Sequence, residues 1–557
     1  MRGSAKVLAV SVVLAMLAVA CASKSSDSST GIGSTGSTAP TTGGTYSAYN
    51  CEPQHLIPHN NYDSCGAQAF EVLWTRLVNF DPTTSVPTEV GAQAESIDVS
   101  EDGLTYTIKI RSGWTFHNGE PVTAQSYVDA WNYTAYGPNG YILNFFFDKI
   151  EGYDALNPEK GEPKVKELSG LKVVDDTTFT VTLNEPFSQF EYTLGFDAFD
   201  PLPKVFYDDP KAFDESPIGD GPYMMDGGWK HDETINVQRY EDYAGTAGYA
   251  DKIELRIYQG DAAWLDFQAD NLDVIFAGSS HIAEARKTYP DTLTEELSSS
   301  LLWLTFPLWD KRFQNPALRQ ALSMAVDRQA VMNAVLVAET PADDFAPPTV
   351  AGYRAGICQY CKYDPEAAKA KLAEAGGWTG ELVLNFPGDD PDLEQAMEAV
   401  ANLWTKNLGI DVKLNPVNPS SYFDLEVGQK MEGPWWDGWV QDYPSIQNYL
   451  EPMYGKNGGY NMATYDNPAF DALLAKGNAS TDPKEQMSYY QQADDILLND
   501  MPAMPWGFLG FNTVHSENVT NVTKVPSLDE WALELVQVVN QSGSGSSAES
   551  SPSSSSS

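Results

Sequence analysis

Ser100-Glu-Asp-Gly-Leu-Thr-Tyr-Thr-Ile-Lys-Ile-Arg-Ser-Gly-Trp-Thr-Phe-His-Asn-Gly-Glu-Pro-Val-Thr-Ala124 is the most informative segment of this 557-residue chain. Residues 104–110 alternate between apolar and polar side chains, which is typical of a half-buried strand. A turn follows at His117-Asn-Gly-Glu, and Thr123 is the expected N-cap of a helix that runs to Tyr136. We interpret this segment as scaffold and expect His117 to be structural.

Short strands and helices continue on both sides of this segment without a regular repeat. Val173-Val174, the Asp175-Asp176 turn and residues 178–183 predict a hairpin. Apolar periodicity and capping residues predict further helices at Asn315 to Val337, Asp364 to Ala375, Asp392 to Leu408 and Pro483 to Asp500. The mixture of helices and strands predicts an α/β or α+β fold and argues against a barrel.

The N-terminus has the layout of a secretory signal peptide. Arg2 and Lys6 precede an apolar run that ends in Leu17-Ala18-Val19-Ala20-Cys21. A cysteine directly after a small residue resembles the lipobox of bacterial lipoproteins, which implies that Cys21 is acylated after residues 1–20 are removed. The alternative is an ordinary secretory signal that leaves Cys21 as an odd free thiol.

The other four cysteines fall into two local pairs, Cys51 with Cys65 and Cys358 with Cys361. Outside the cell such pairs persist as disulfides. The C-x-x-C spacing of the second pair also permits a redox role, but no strand precedes it as in thioredoxin-like proteins. We therefore expect two structural disulfides.

Composition and motifs exclude several classes of function. The formal charge is −43, from 77 acidic and 34 basic residues, so nucleic acid and anionic lipid are poor partners. The charge favours cationic or zwitterionic ligands, or serves solubility alone. We find no motif of a hydrolase or a zinc protease, and the six histidines are scattered, so we predict no enzyme activity, no cofactor and no metal site.

Several sequence blocks occur in the order of one protein family. After residues 100–124 come a second strand pair at 173–186, Ile218-Gly-Asp-Gly-Pro-Tyr223, Asn315 to Arg328, and Tyr363 to Gly376. These blocks resemble family 5 of the bacterial extracellular solute-binding proteins, which serves peptide and nickel ABC importers. The chain departs from the family pattern at Gln125-Ser126, where Glu-Asp is usual, and at Asp220, where Thr is usual.

The resemblance implies a two-lobed periplasmic-binding-protein fold of type II, cluster C, with an inserted subdomain and a ligand cleft between the lobes. The chain would cross the hinge near Ser300 and again near Met504. The expected divisions are a signal peptide at 1–20, a lipidated cysteine and flexible linker at 21–45, lobe I at 46–90, 215–300 and 505–540, the inserted subdomain at 91–214, lobe II at 301–504, and a disordered Ser-rich tail at 541–557.

The segment Gly433-Pro-Trp-Trp-Asp-Gly-Trp-Val-Gln-Asp-Tyr-Pro444 is the expected binding segment. It is similar to the Gly-Trp-Cys-x-Asp-Tyr segment that lines the cleft of peptide-binding relatives. The resemblance implies that Asp442 holds the α-ammonium group of the ligand and that the backbone pairs with an extended ligand. The ligand-contact residues expected from this segment are Trp435, Trp436, Gly438, Trp439, Val440, Asp442 and Tyr443.

Two alternatives remain open for this segment. Asp442 could instead cap a helix, and the tryptophans could be core residues. Aromatic rings also suit sugars, so an oligosaccharide is the second candidate ligand, and nickel or haem a minor one.

The expected protein is a monomeric, lipid-anchored peptide-binding protein on the outer face of a bacterial, Gram-positive cell membrane, with the permease and ATPase of an ABC importer as partners.

Overall fold

The computed structural model describes residues 42–158, 160–337, 339–525 and 528–539. The predicted signal peptide, the lipidation site Cys21, most of the linker and the Ser-rich tail lie outside the described residues. Within those residues, no helix combines the length and the apolar character needed to cross a membrane.

The strands range from two to 13 residues and alternate along the chain with helices. They are β1 Thr45–Asn50, β2 Asn79–Phe80, β3 Pro87–Thr88, β4 Ala94–Val99, β5 Thr105–Ile110, β6 Leu171–Asp175, β7 Thr178–Thr182, β8 Tyr223–Met225, β9 Thr234–Arg239, β10 Lys252–Ile257, β11 Val274–Phe276, β12 Leu293–Thr305, β13 Glu339–Pro341, β14 Leu382–Pro387, β15 Val412–Val417, β16 Trp435–Trp439, β17 Ala503–His515, β18 Val519–Thr520 and β19 Gln537–Val538.

The helices are short apart from α11 and α15, which have 18 residues each. They are α1 Ser64–Leu73, α2 Ala124–Ala135, α3 Tyr153–Leu156, α4 Phe190–Thr193, α5 Pro210–Glu215, α6 Ala262–Gln268, α7 Ile282–Thr288, α8 Pro316–Met324, α9 Arg328–Ala334, α10 Pro365–Glu374, α11 Pro391–Leu408, α12 Pro419–Val427, α13 Gln447–Tyr454, α14 Pro468–Ala479 and α15 Pro483–Asp500.

Local capping explains why most of the predicted helix boundaries are confirmed. The Thr123 side chain accepts from the backbone N–H of Ser126, and the Ser126 side chain accepts from the Thr123 N–H, which makes a capping box at the start of α2. Helices α10, α11 and α15 each begin with an aspartate that caps the helix and a proline in its first turn, at Asp364, Asp390 and Asp482.

The prediction of one helix from Asn315 to Val337 is wrong. The structure divides this segment into α8 and α9, which are separated by Ala325, Val326 and Asp327. The carboxylate of Asp327 accepts from the N–H of Ala330 and caps α9, so the residue that looks like the end of a long helix begins a new one.

One mixed sheet runs through both halves of the molecule, in the order β15-β14-β16-β12-β17-β11-β1-β10-β9-β8, with β13 also paired to β17. Its two longest strands, β12 and β17, are antiparallel neighbours of 13 residues each. They form the connection through the middle of the sheet.

The pairing of β12 with β17 is interrupted between Leu297 and Leu301. Here the carboxylate of Asp529 accepts from the backbone N–H of Ser299 at 2.9 Å and from the hydroxyl groups of Ser298 and Ser299. This irregularity sets three residues of β12 opposite one of β17 and is a natural site for bending, because the ladder of hydrogen bonds between the two strands is broken there.

Separate hydrophobic cores lie on the two sides of this interruption. The core on one side is built from residues between Tyr46 and Val274 and between Phe511 and Val536. On the other side, two cores are built from residues between Leu301 and Phe508. We call residues 42–297 and 509–539 lobe I, and residues 301–508 lobe II.

A four-stranded antiparallel sheet, in the order β4-β5-β7-β6, stands apart from the main sheet within lobe I. Helix α2 packs against it through Tyr127 and Trp131, whose rings contact Phe179 of β7. The predicted hairpin is confirmed as β6 and β7. The strand of residues 105–110 and the start of α2 thus belong to the scaffold. His117 is half-buried, and its Nε2 lies 3.1 Å from the carbonyl oxygen of Gly221.

Two disulfides join the local cysteine pairs. Cys51 is bonded to Cys65 in lobe I, and Cys358 is bonded to Cys361 in lobe II. The second pair lies in a loop that ends in a short 3-10 turn at Gln359–Cys361, without a strand before it.

Candidate functional site

Strand β16 has one paired edge and one edge that is mostly open. Its five residues pair with β12, from Trp435 opposite Thr305 to Trp439 opposite Leu301. On the other edge, β14 pairs with it only at Trp435. Among the described residues, no strand covers this edge beyond that position.

The backbone groups of alternate residues point to the open edge. The carbonyl of Pro434 accepts from the N–H of Asn385 in β14, and the carbonyl of Trp436 accepts from the Tyr422 hydroxyl at 2.8 Å. By the alternation of an antiparallel strand, Gly438 and Val440 face the same way. The N–H of Gly438 is held by the side chain of Asp437, at 2.8 Å.

Val440 leaves its backbone available to a ligand. Its N–H and carbonyl form no hydrogen bond to any of the described residues, and half of the residue is exposed. An extended chain placed along this edge would therefore add a strand to the sheet.

Asp442 lies just beyond β16 and is buried, with 6% of its surface exposed. Its carboxylate accepts from the Tyr62 hydroxyl of lobe I and from the Asn448 amide of lobe II, both at 2.8 Å. Asn448 also accepts from the Asp442 N–H and from the Trp439 indole, at 2.9 and 3.0 Å. This network fixes the orientation of the carboxylate.

Burial raises the pKa of Asp442 to about 6, against the lowering effect of its bonds to Asn448 and Tyr62. No charged partner accompanies it in this network, so a cationic group that approaches the carboxylate would stabilise its ionised form. The alternative role as a helix cap is not supported, since α13 begins after Ile446 and has no side-chain cap.

Two cavities meet at Trp439 and Asp442. The first, of about 520 Å³, is lined on one side by Gly438, Val440 and Asp442 and on the other by lobe I residues that include Tyr62. We call it the strand cavity. The second, of about 400 Å³, is the aromatic cavity, and its lining includes Phe145, Phe146, Phe187, Trp439, Tyr443 and Tyr460.

The predicted contact residues divide into two groups. Gly438, Trp439, Val440, Asp442 and Tyr443 line one or both cavities. Trp435 and Trp436 line neither.

The two remaining tryptophans belong to the packing of lobe II. Trp435 is fully buried, with its ring centroid 5.5 Å from that of Trp309. Trp436 packs edge-on against Trp506. These contacts give both tryptophans a packing role, and their predicted contact with the ligand stays a prediction.

Several residues of the site were not predicted from sequence. Tyr62 and Arg76 reach the strand cavity from the first 90 residues, and Asp197 reaches it from the short turn that follows Phe196. Asn448 lies in α13 and has no motif of its own. Predicting these residues would have required knowing which distant segments of the chain lie next to one another in the fold.

No group of three or more His, Cys, Asp or Glu side chains within the described residues is arranged to hold a metal ion. Neither cavity is lined by a described histidine. The polar groups at the junction of the cavities are carboxylate, amide and hydroxyl groups, a set suited to an ammonium group.

Comparison with known proteins gives consistent results across most of the chain. The family model described as bacterial extracellular solute-binding proteins, family 5 middle, matches residues 89–461. The oligopeptide-binding protein OppA of Bacillus subtilis is 30% identical over 463 residues, which cover 77% of this chain and 81% of OppA. Heme-binding protein A of Haemophilus influenzae is 29% identical over 481 residues, which cover 81% of this chain and 84% of that protein. The dipeptide-binding protein DppE of Bacillus subtilis is 27% identical over 448 residues, which cover 77% of this chain and 80% of DppE.

Solved structures share the fold. Haemophilus influenzae OppA, in complex with the peptide RPPGFSPFR, has a TM-score of 0.74 at 22% identity, covering 89% of this chain and 98% of that one. The substrate-binding protein CtaP of Listeria monocytogenes has a TM-score of 0.76 at 22% identity, covering 89% and 100%. The predicted two-lobed α/β fold is confirmed.

Proposed function

The chain belongs to family 5 of the bacterial extracellular solute-binding proteins, and from that premise we propose that it captures peptides outside the cell for an ABC importer. Its relatives in Bacillus subtilis are named for binding oligopeptides and dipeptides. Two of its structural neighbours were solved with a bound peptide.

The observation that carries this proposal is the open edge of β16 next to a buried carboxylate. A peptide that lies along Gly438 and Val440 gains main-chain hydrogen bonds that do not depend on its side chains. Its α-ammonium group gains a charge-assisted bond to Asp442 at the end of the strand. Together these contacts favour peptides of many sequences that have a free amino end.

Contacts from both lobes suggest how binding is coupled to closure. Tyr62 of lobe I and Asn448 of lobe II share the carboxylate of Asp442, so a ligand there touches both halves of the molecule. The interruption of β12 beside Ser299 supplies a place where the two connecting strands can bend. The permease and ATPase of the importer would then receive the ligand from the closed form.

We infer from the N-terminal sequence that the protein is anchored through acylated Cys21 at the outer face of a Gram-positive cell membrane. The Ser- and Gly-rich residues after Cys21 would act as a tether. In this arrangement the protein works as a monomer beside its permease. Its task is binding and delivery, without chemical change of the peptide.

An equilibrium experiment tests this function. The full-length chain in detergent is titrated in a calorimeter with tri- to pentapeptides, the same peptides with an acetylated amino end, and cello- and chito-oligosaccharides. We expect heat of binding only with the free peptides. Equal binding of acetylated peptides, or binding of the sugars alone, contradicts the proposal, and the appearance of peptide fragments during the incubation would indicate a hydrolase.

A further inference from the structure

The strand cavity contains a second carboxylate with which no described residue is paired. Asp197 lines the cavity and is 93% buried, since only 7% of its surface is exposed. Among the described residues, none forms a hydrogen bond or an ion pair with its side chain, since the neighbouring Arg76 is paired with Glu71 and Glu530. A buried carboxylate without a partner is costly and marks a place where a ligand can supply the missing charge.

The nearest cation to Asp197 is already engaged. The guanidinium group of Arg76 lies 2.5 Å from Glu71 and 2.7 Å from Glu530, one nitrogen to each carboxylate. One positive charge thus faces three carboxylates. Burial raises the pKa of Asp197, and Arg76 only partly offsets this effect, while Glu530 adds to it.

The lining of the whole strand cavity is acidic as well. Its only described base is Arg76, and its acids are Asp63, Asp197, Asp442, Asp529 and Glu530. Of these, Asp63 caps α1 and Asp529 is paired with Lys524 at 2.9 Å. Among these acids, Asp197 and Asp442 are therefore the two that form no ion pair and accept no capping bond from a helix N–H.

Asp197 lies close to the expected position of the ligand's amino end. Phe196, the residue before it, packs edge-on against Tyr62 with ring centroids 6.2 Å apart. The hydroxyl group of the same Tyr62 donates to Asp442. Tyr62 thus contacts Asp442 directly and the residue next to Asp197, and both carboxylates line the same cavity. A long side chain near the start of the peptide can extend from one towards the other.

On the proposed function as premise, we propose that Asp197 is a second cation-binding group of the cleft and selects peptides with a lysine or arginine among their first three residues. The α-ammonium group binds Asp442, and the basic side chain binds Asp197. The bond to Asp197 makes binding depend on side-chain charge, whereas the rest of the site recognises only the backbone and amino end of the peptide. Arg76 does not attract the ligand, because its charge is already shared between Glu71 and Glu530.

The test uses tetrapeptides of alanine with one lysine at position one, two, three or four. Each has a partner with norleucine, which has a similar apolar chain and no charge, in the same position. The full-length chain in detergent is titrated with each pair. For at least one of the first three positions we expect the lysine peptide to bind about tenfold more tightly or better, as one charge-assisted hydrogen bond would give.

The variant Asp197→Asn keeps the shape of the side chain and removes its charge. We expect it to reduce the lysine preference to less than about threefold, by weakening lysine peptides and leaving norleucine peptides within about twofold. The matched control is Asp220→Asn, since Asp220 is a buried carboxylate held by the Thr75 N–H and by Gln93 in lobe I. It lines neither cavity, so this variant should keep the preference.

The outcomes separate this inference from the function on which it rests. Equal binding of lysine and norleucine peptides by the unaltered chain, or a preference at position four alone, overturns the inference and leaves peptide capture standing. A preference that survives in Asp197→Asn also overturns it. If neither kind of peptide binds the unaltered chain, the proposed function fails and the inference fails with it.

Discussion

Replacing Asp442 by asparagine should change ligand affinity and stability in opposite directions. The substitution keeps the size of the side chain and removes its charge. Its carbonyl can still accept from Asn448, and its amide can donate to the hydroxyl oxygen of Tyr62. The local network is therefore retained, and the charge is the main change.

The effect on stability follows from the pKa of Asp442. Burial raises this pKa from 3.8 to about 6, so the folded protein binds the proton more tightly than the unfolded chain does. The free energy of unfolding consequently falls as the pH rises from about 4 to 6. At pH 7 the ionised carboxylate costs roughly 3 kcal/mol without a ligand, and asparagine removes that cost.

The effect on affinity has the opposite sign. When the buried ammonium group of the peptide loses its carboxylate partner, the binding free energy weakens by about 3 kcal/mol, and Kd rises about 100-fold. The N-acetylated peptide has no ammonium group there and should be affected much less. The unliganded variant should unfold at the same or a higher temperature than the unaltered chain at pH 7.

Calorimetric titration and thermal unfolding at pH 7 measure both effects, with Asp220→Asn as the control. Asp220 is buried in lobe I, and burial likewise raises its pKa, to about 7. This control should alter stability without a change in affinity. A change of less than about fivefold in Kd for free peptides with Asp442→Asn would refute the assignment of Asp442 as ammonium anchor.

Three further results are expected. Peptide affinity should fall about tenfold from pH 7 to pH 5 as Asp442 becomes protonated, and the part of this dependence due to Asp442 should be missing in Asp442→Asn when both are titrated across that range. Tyr62→Phe removes one donor to Asp442, so its pKa should rise and affinity at pH 7 should weaken by about 1 kcal/mol, whereas an unchanged Kd would deny the contact a role. Lys149 of lobe I lies 3.7 Å from Glu451 of lobe II, so Lys149→Met should speed peptide release about twofold to fivefold in stopped-flow measurements, and an unchanged rate would mean that this ion pair does not hold the lobes together.

Helix and strand positions were largely predictable because their causes are local. The side chains of Asp364 and Asp482 cap their helices by accepting from backbone N–H groups two or three residues further on, and each aspartate is followed by proline. The alternation at residues 104–110 reports the two faces of a strand. The missed break before α9 is also local, since Asp327 is a cap that a continuous apolar stripe concealed.

The lining of the site was only partly predictable. Asp442, Gly438 and Val440 stand out through the resemblance of their segment to the family pattern, and they do line the strand cavity. Trp435 and Trp436 stand out for the same reason and are packed inside lobe II. Their place along β16 depends on how this strand pairs with β12 and β14, which the segment itself does not contain.

The sequence by itself determined the family and the α/β class, because these depend on short windows and on the order of motifs. Only the tertiary structure brought Tyr62 to Asp442, across 380 residues, and placed Asp197 in the same cavity. Contacts of that kind arise only when distant segments of the two lobes pack together. No periodicity or spacing in the chain indicates these long-range contacts, because nothing in the sequence around either partner distinguishes it from other polar residues.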